Sequence, residues 1–247
     1  MEAVQPRSAA FFDVDGTLLR GFIIQAFPRY LAENSLIRKT IADEVDHTIE
    51  SYERGRIAYR DAAERAPELI ALGLRGREIA KIEALARCFM AGYVPDREYG
   101  YARPLVQWLK HRVDLMFAVS GSPIEPISQL ASLGFDEVYG TLFERKNGFY
   151  TGRVELNLIL SESKARLIDA LTADRRIDLA RSYAFGDTDQ DSPVLERVRF
   201  PLALNPNRAL RTICVERGWP WLTRKELSQP WERIRALVAE RLGLSLG

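Results

Sequence analysis

The sequence predicts an α/β fold: a doubly wound parallel sheet that carries an inserted bundle of helices and a β-hairpin. Short apolar runs that end in polar loops alternate with helical patterns along much of the chain. The segment after the first such run has helical periodicity and no convincing strand. An Asn-Gly pair between two β-rich runs indicates a hairpin turn. Strands that alternate with helices are typical of a parallel sheet covered on both faces.

The first predicted strand is the apolar run at residues 9–12, which stops at the polar segment 13–17, Asp-Val-Asp-Gly-Thr. This pattern is typical of a buried strand that ends in a glycine-containing loop. From about residue 22 to about residue 90, apolar residues recur at helical spacing. We therefore predict a bundle of helices directly after the first strand.

The second half of the chain alternates between predicted helices and strands. The elements are a helix at 104–111, a strand at 113–119, a loop at 120–122, a helix opened by Pro123, a short strand at 137–140, two β-rich runs within 141–156, a helix at 161–171, strands at 182–185 and 201–204, and a C-terminal helix around 231–242. The predicted division is an α/β core formed by residues 1–20 and 100–247 with a helical cap at residues 21–99.

One stripe of apolar side chains in the cap allows two interpretations. It consists of Phe22, Ile23, Phe27, Tyr30 and Leu31. Such spacing is usually the buried core of a helical bundle, which is the interpretation we prefer. The alternative is that Phe22 and Phe27 form the wall of a substrate pocket.

Composition excludes several classes of protein. The 247 residues are 47% hydrophobic, which is enough for a sizeable core. Lys and Arg number 35 against 34 for Asp and Glu, so charge gives no reason to expect a nucleic-acid partner. Cys88 and Cys214 form no metal or disulfide pattern and are expected to be packing residues. No secretory leader and no apolar run of roughly 20 residues is evident, which predicts a cytoplasmic protein without a transmembrane segment.

Polar loops follow three of the predicted strands, and in a parallel sheet they converge at the carboxyl ends of the strands. They supply acidic side chains (Asp13, Asp15, Asp187, Asp189 and Asp191), hydroxyls (Thr17, Ser120, Ser122 and Thr188) and glycine-freed backbone amides. Hard oxygen ligands of this kind suit Mg²⁺, which commonly shares its coordination shell with a substrate phosphate. An aspartate can also attack phosphorus to form an aspartyl-phosphate, and a nearby carboxylate can transfer the protons.

These residues resemble the four ordered motifs of the haloacid dehalogenase superfamily. The matching segments are Asp13-Val14-Asp15-Gly16-Thr17, Ser120, Lys164 and Gly186-Asp187-Thr188-Asp189-Gln190-Asp191. The helical insertion after the first motif and the hairpin before Lys164 resemble the branch that contains phosphoserine phosphatase. The resemblance covers roughly residues 9–218.

The resemblance implies a magnesium-dependent phosphatase and a role for each matching residue. Asp13 is implied to be the nucleophile and a metal ligand, and Asp15 the general acid and base, with its backbone carbonyl on the metal. Asp187 is implied to complete the protein ligands, and Asp191 to hold Lys164 or a metal-bound water. Lys164 is implied to neutralise charge beside Asp13. The phosphate-binding group is expected to comprise Thr17, Ser120, Gly121 and Lys164.

The expected partner is a small phosphomonoester, whereas the oligomeric state is unknown. The phosphoserine phosphatases that this sequence resembles carry a glutamate shortly after the first motif. Here the stretch between Thr17 and Glu33 contains no acidic residue. Serine phosphate is therefore doubtful, and a lipid-derived phosphomonoester is one alternative. Phosphotransfer to an alcohol acceptor would use the same residues. A catalytically silent phosphate-binding module is a third alternative, which intact Asp13, Asp15, Lys164 and Asp187 disfavour. We assign no role to Asp189 or to the C-terminal helix.

Overall fold

A computed structural model describes residues 5–245; the outermost residues of the predicted core, 1–4 and 246–247, lie outside this range. Within it the strands are β1 (Ala9–Phe12), β2 (Leu115–Pro123), β3 (Glu137–Lys146), β4 (Phe149–Leu156), β5 (Tyr183–Gly186), β6 (Phe200–Leu204) and β7 (Trp221–Leu222). They form one sheet in the order β4-β3-β2-β1-β5-β6-β7. All neighbouring pairs are parallel except β3 and β4, which form the predicted hairpin. The α/β fold class is confirmed.

Helices connect the parallel strands and cover both faces of the sheet. They are α1 (Ile23–Glu33), α2 (Lys39–Glu53), α3 (Tyr59–Leu74), α4 (Ile79–Arg97), α5 (Ala102–Lys110), α6 (Ile124–Ile127), α7 (Ser161–Arg175), α8 (Ser192–Leu195), α9 (Arg208–Arg217) and α10 (Trp231–Leu242). Short 3-10 helices span Ser128–Leu133, Leu179–Arg181, Asp189–Asp191 and Glu226–Ser228. Within the described range, no helix is long and apolar enough to cross a bilayer.

The central strand β1 is buried on both faces, because successive side chains of a strand point to opposite sides. Phe11 stacks on Phe117 of β2, with ring centroids 5.2 Å apart, in the layer that includes Ile168 of α7. Phe12 stacks on Phe185 of β5 at 4.4 Å, on the opposite face. This double burial explains why the sequence of β1 is continuously apolar instead of alternating.

Of the five helices between β1 and β2 in the chain, α1 to α4 include the segment whose helical periodicity predicted a bundle. Their buried side chains, such as Phe27, Ile70 and Ile82, join the same apolar cluster as Phe12 and Phe185 of the sheet. The division at residues 21–99 stays a prediction.

The hairpin β3–β4 contacts the helical insertion through main-chain hydrogen bonds. The amide of Gly76 donates to the carbonyl of Tyr150 (2.9 Å), and the amide of Tyr150 donates to that of Arg77 (3.0 Å). The amide of Ile79 donates to the carbonyl of Gly148 at 2.9 Å. These bonds satisfy backbone groups in the connection between α3 and α4 that would otherwise need water.

The structure differs from the sequence-based expectation at several element boundaries. The predicted loop 120–122 belongs to β2, whose register with β3 shifts between Val119 and Pro123. The strand predicted at 137–140 and the first of the two β-rich runs within 141–156 form one continuous strand, β3, and the second run forms β4 after the hairpin turn. The two-residue strand β7 was not predicted, because its pairing with β6 has no local signal. Cys88 is exposed, so its predicted packing role is wrong, whereas Cys214 is buried.

Phe12→Ala should lower the free energy of unfolding by about 3–5 kcal/mol, because it leaves a cavity beside Phe185 and Phe135. The measurement is urea unfolding followed by circular dichroism. Phe149→Ala is the matched control, since Phe149 is 44% exposed and its truncation should change stability by no more than about 0.5 kcal/mol. Equal losses in both variants would contradict the described packing.

Candidate active site

The polar segments that follow Phe12 in β1, Val119 in β2 and Phe185 in β5 meet at one edge of the sheet. The parallel register places Phe12 beside Ala118 of β2 and Phe185 of β5, so the residues that follow these three positions are neighbours. The amide of Asp13 continues the pairing by donating to the carbonyl of Phe185 at 2.9 Å. The fold therefore brings together acidic and hydroxyl side chains from three segments that are far apart in sequence.

A lysine lies between two carboxylates at the centre of this edge. Nζ of Lys164, in the first turns of α7, donates to Oδ1 of Asp13 and to Oδ1 of Asp191, both at 2.7 Å. The side chains of Lys164, Asp13 and Asp191 are only 7%, 11% and 5% exposed. Burial lowers the pKa of the Lys164 ammonium, but Asp13 and Asp191 more than offset it and hold the pKa above its usual range. Lys164 is therefore a fixed cation.

Negative charge exceeds positive charge in this cluster. Burial, followed by the neighbouring Asp191 carboxylate, raises the pKa of Asp13 to about 8, although Lys164 acts in the opposite direction. Burial, followed by Asp13 and Asp191, also raises the pKa of Asp187 well above its usual range. Oxygens of Asp13, Asp187 and Asp191 lie within 4.8 Å of one another. One lysine does not balance these groups, which is the charge pattern that a divalent cation would complete.

Both oxygens of Asp191 already have partners. Its Oδ1 accepts from Lys164, and its Oδ2 accepts from the amides of Asp187 (3.2 Å) and Thr188 (3.1 Å) and from the Thr188 hydroxyl (3.2 Å). The carboxylate thereby closes the turn after β5 and orients Lys164. The contact with Lys164 is one that the predicted role of Asp191 requires, and the role itself stays a prediction.

Asp187 approaches the first loop closely. Its Oδ1 accepts from the Thr17 hydroxyl at 3.0 Å, and an added Cβ on Gly16 would lie 2.1 Å from its Oδ2. Gly16 also has a φ of +85°, so this position favours glycine for two independent reasons. The carbonyl of Thr17 accepts from the buried Tyr101 hydroxyl at 2.7 Å. Thr17 thus positions Asp187 and, unlike Asp13, is not part of the cavity wall described below.

Asp15 is oriented by three donors. Its Oδ1 accepts from the amide of Ile23 (2.9 Å), at the start of α1, and its Oδ2 accepts from the hydroxyls of Ser122 (2.7 Å) and Ser120 (3.2 Å). Burial raises the pKa of Asp15, and the hydrogen bonds from Ile23, Ser122 and Ser120 partly counter that effect. A buried carboxyl with an elevated pKa can hold a transferable proton.

Ser122 is among the loop hydroxyls noted in the sequence, but no role was assigned to it. Its hydroxyl donates to Asp15, and its amide donates to Oγ of Ser120 at 3.0 Å. No side-chain cap bond begins α6, so Ser122 does not cap that helix. Nothing in the local sequence distinguishes a capping serine from one that contacts Asp15, since the contact depends on sheet register.

A cavity of about 510 Å³ opens above these groups. Asp13, Asp15, Gly121, Lys164 and Asp187 lie on its core side, whereas the buried Ser120 and Thr17 do not line it. The cap side consists of Phe22, Ile24, Ile49, Tyr52, Glu53, Tyr59, Ala62, Ala63 and Ala66.

Phe22 and Phe27 have different positions relative to this cavity. Phe22 lines it and is 45% exposed, so the preferred prediction that it belongs to the cap core is wrong. Phe27 is fully buried and packs against Phe89, as that interpretation expected. Asp189, left without a role, also lines the cavity and accepts from the side-chain amides of Asn207 (2.9 Å) and Gln190 (2.8 Å).

Several known proteins are similar to this chain in sequence. A protein named for the inhibition of morphological differentiation, from Streptomyces azureus, is 31% identical over 88% of this chain and 78% of its own length. Phosphoserine phosphatase SerB1 of Mycobacterium tuberculosis is 28% identical over 86% of this chain and 69% of its own. Histidinol-phosphatase of Neisseria meningitidis is 28% identical over 89% of this chain and 100% of its own.

Solved structures with a similar fold and a matching family profile add to these sequence similarities. The crystal structure of a Bordetella pertussis protein of unknown function superposes with a TM-score of 0.75 at 27% identity, covering 88% of this chain and 99% of that one. A phosphoserine phosphatase with a phospho-aspartyl intermediate analogue shares the fold, with a TM-score of 0.58 at 19% identity over 86% of this chain and 99% of that one. The profile of haloacid dehalogenase-like hydrolases matches residues 10–196. With most of its length matched, the chain belongs to the haloacid dehalogenase-like hydrolase family.

Proposed function

We propose that this chain hydrolyses a small phosphomonoester through an aspartyl-phosphate on Asp13, in a reaction that requires Mg²⁺. The observation that carries the proposal is the contact of Lys164 with Asp13 and Asp191. Lys164 and Asp13 line the cavity together with the separately oriented Asp15. A nucleophile, a fixed cation and a proton-transfer group are the protein components that phosphoryl transfer through aspartate needs.

In the first half-reaction an Asp13 carboxylate oxygen attacks phosphorus, and the bond from phosphorus to the alcohol oxygen breaks. Lys164 holds Oδ1 of Asp13, whereas Oδ2 accepts no hydrogen bond within residues 5–245. That oxygen is therefore available to a phosphorus atom or a metal. Asp15 gives its proton to the leaving alcohol oxygen.

In the second half-reaction water attacks the phosphorus of the aspartyl-phosphate. Asp15, now ionised, takes a proton from that water, and the bond from phosphorus to Asp13 breaks to release inorganic phosphate. The hydrogen bonds from Ile23, Ser120 and Ser122 hold the Asp15 carboxylate in one orientation between the two steps. Positioning of this kind contributes to general acid and base catalysis.

The donor set fits Mg²⁺. The carboxylates of Asp13 and Asp187 and the backbone carbonyl of Asp15 would hold it, because Asp191 has both oxygens engaged elsewhere. When bound, the ion would offset the repulsion between the Asp13 carboxylate and the substrate phosphate. The unbalanced negative charge of the buried carboxylates supports this assignment.

The phosphate-binding residues divide into two groups. Lys164 and Gly121 line the cavity and are proposed to contact the phosphoryl group, and the buried Ser120 precedes Gly121 in the chain. Thr17 is proposed to act through Asp187, since its hydroxyl donates to that carboxylate. The segment 21–99 is proposed to serve as the cap that covers this group.

The relatives support phosphatase chemistry without selecting a substrate. SerB1 and the Neisseria enzyme are named for two different phosphoesters, yet each is 28% identical to this chain. Hydrolysis and transfer to an alcohol share the aspartyl-phosphate, so product analysis must separate them. Release of inorganic phosphate that is undiminished by added glycerol or ethanol is the result expected for a hydrolase.

Asp13→Asn should lower kcat for magnesium-dependent phosphate release by at least about 10³-fold, because the amide cannot act as the nucleophile. Asp15→Asn should lower kcat by about 10²–10⁴-fold, since proton transfer to the leaving group is lost. Activity is measured with p-nitrophenyl phosphate and magnesium, with Asp96→Asn, in the exposed C-terminal turn of α4, as the control. Full activity of Asp13→Asn would disprove the mechanism.

The stability of the metal-free protein should depend on pH through Asp13. The pKa of Asp13 rises from 3.8 to about 8 on folding, so the folded protein holds this proton more tightly than the unfolded chain does. The resulting contribution to stability is complete below about pH 4 and is lost as the pH rises through about 8. The free energy of unfolding, measured in the presence of a chelator, should therefore fall as the pH rises from 5 to 8.5, and it should fall more steeply for the wild type than for Asp13→Asn.

Added magnesium should reverse this trend, because it binds the ionised carboxylates and stabilises the folded protein most at the alkaline end of the range. The readout is the melting temperature with and without magnesium at each pH. Parallel pH profiles of the wild type and Asp13→Asn would contradict the described electrostatics.

A further inference from the structure

The cap side of the 510 Å³ cavity is almost entirely apolar. Isoleucine and alanine side chains supply most of it, and two aromatic residues stand at the cavity with large exposed fractions: 45% for Phe22 and 37% for Tyr52. Within the described part of the chain, they are two of only five large hydrophobic residues that are exposed. Exposed apolar surface that lines a concave site is suited to covering an apolar ligand.

The same wall offers little to a cationic group. Glu53 is the one carboxylate that residues 21–99 contribute to it, and Glu53 is exposed at the C-terminal end of α2. The Tyr59 hydroxyl already donates to the carbonyl of Ile159 at 2.6 Å. Burial raises the pKa of Tyr59, so this side chain supplies no negative charge either. An ammonium group buried against this wall would lose water without gaining a buried anionic partner.

The dimensions of the cavity also exceed those of a small amino alcohol. Ligand cavities of about 300–1,000 Å³ commonly enclose molecules much larger than the phosphorylated head of an amino acid. In the proposed function the phosphoryl group takes up only the part of the cavity near Asp13 and Lys164, which leaves the part lined by Ile24, Ile49 and the alanines of α3 for the leaving group. A leaving group without an apolar body would leave this surface in contact with water.

From these observations we infer that the preferred substrate is the phosphomonoester of an alcohol with an extended apolar body, a hydrocarbon chain or ring, and not of a small amino alcohol such as serine. This inference rests on the proposed function and specifies the substrate class of that site. The apolar body lies along the cap wall between Phe22 and the alanines of α3, while phosphorus lies beside Asp13.

The test is a series of n-alkyl phosphates from ethyl to octyl, compared with serine phosphate and ethanolamine phosphate in the presence of magnesium. The ratio kcat/KM should rise about two- to fourfold for each methylene that reaches the wall, and propyl phosphate should exceed serine phosphate by at least about tenfold. A flat series, or a preference for serine phosphate, would overturn the inference while leaving the hydrolase proposal intact. No hydrolysis of any ester, p-nitrophenyl phosphate included, would overturn both.

A variant pair separates the cap wall from general surface effects. Phe22→Glu should lower kcat/KM for octyl phosphate by about tenfold and raise the serine phosphate to octyl phosphate ratio, because it replaces apolar contact with a carboxylate. Phe149→Glu is the matched control: Phe149 is 44% exposed, against 45% for Phe22, and lies on the hairpin outside the cavity wall. An unchanged ratio in Phe22→Glu, or the same change in both variants, would contradict the assigned wall.

Discussion

The concentration of carboxylates around one ammonium group at the end of β1 governs much of the surrounding structure. Unpaired buried charge is costly, so each acid must be balanced by a cation, by hydrogen bonds or by protonation. Lys164 serves two of the acids, and the backbone turn after β5 serves Asp191. Glycine allows the backbone to approach so closely: a Cβ on Gly186 would lie 2.5 Å from that of Asp191.

The central residues of this arrangement were predictable because each follows a strand whose apolar sequence is unmistakable. Asp13 and Asp187 come directly after β1 and β5, and parallel strands bring their carboxyl ends together. Lys164 could be predicted only by resemblance, since an isolated lysine on a helix is usually a solvated residue. Its burial between two carboxylates depends on how α7 packs, which local sequence does not encode.

The features that the sequence did not reveal depend on contacts between distant segments. Ser122 contacts Asp15 from the part of β2 that continues past the expected loop, where the register against β3 shifts. Phe22 lies on the cavity wall while Phe27, five residues later, is in the core, although both belong to one apolar stripe. The reaction chemistry can therefore be predicted from motifs, whereas the substrate preference depends on tertiary packing in the cap.

The main-chain hydrogen bonds between the hairpin and the α3–α4 connection limit how the cavity can admit its substrate. A rigid-body swing of the helical bundle away from the core would break the bonds of Gly76, Ile79 and Tyr150 together, at a cost of about 1 kcal/mol each. At the opposite rim the bonds between the helical segment and the core are made next to Phe22 and Tyr52 and not by their side chains: the amide of Ile23 donates to Asp15 and the Tyr59 hydroxyl donates to the carbonyl of Ile159. Entry should therefore need only a local movement of the exposed Phe22 and Tyr52 side chains, with the hydrogen bonds on both sides left intact.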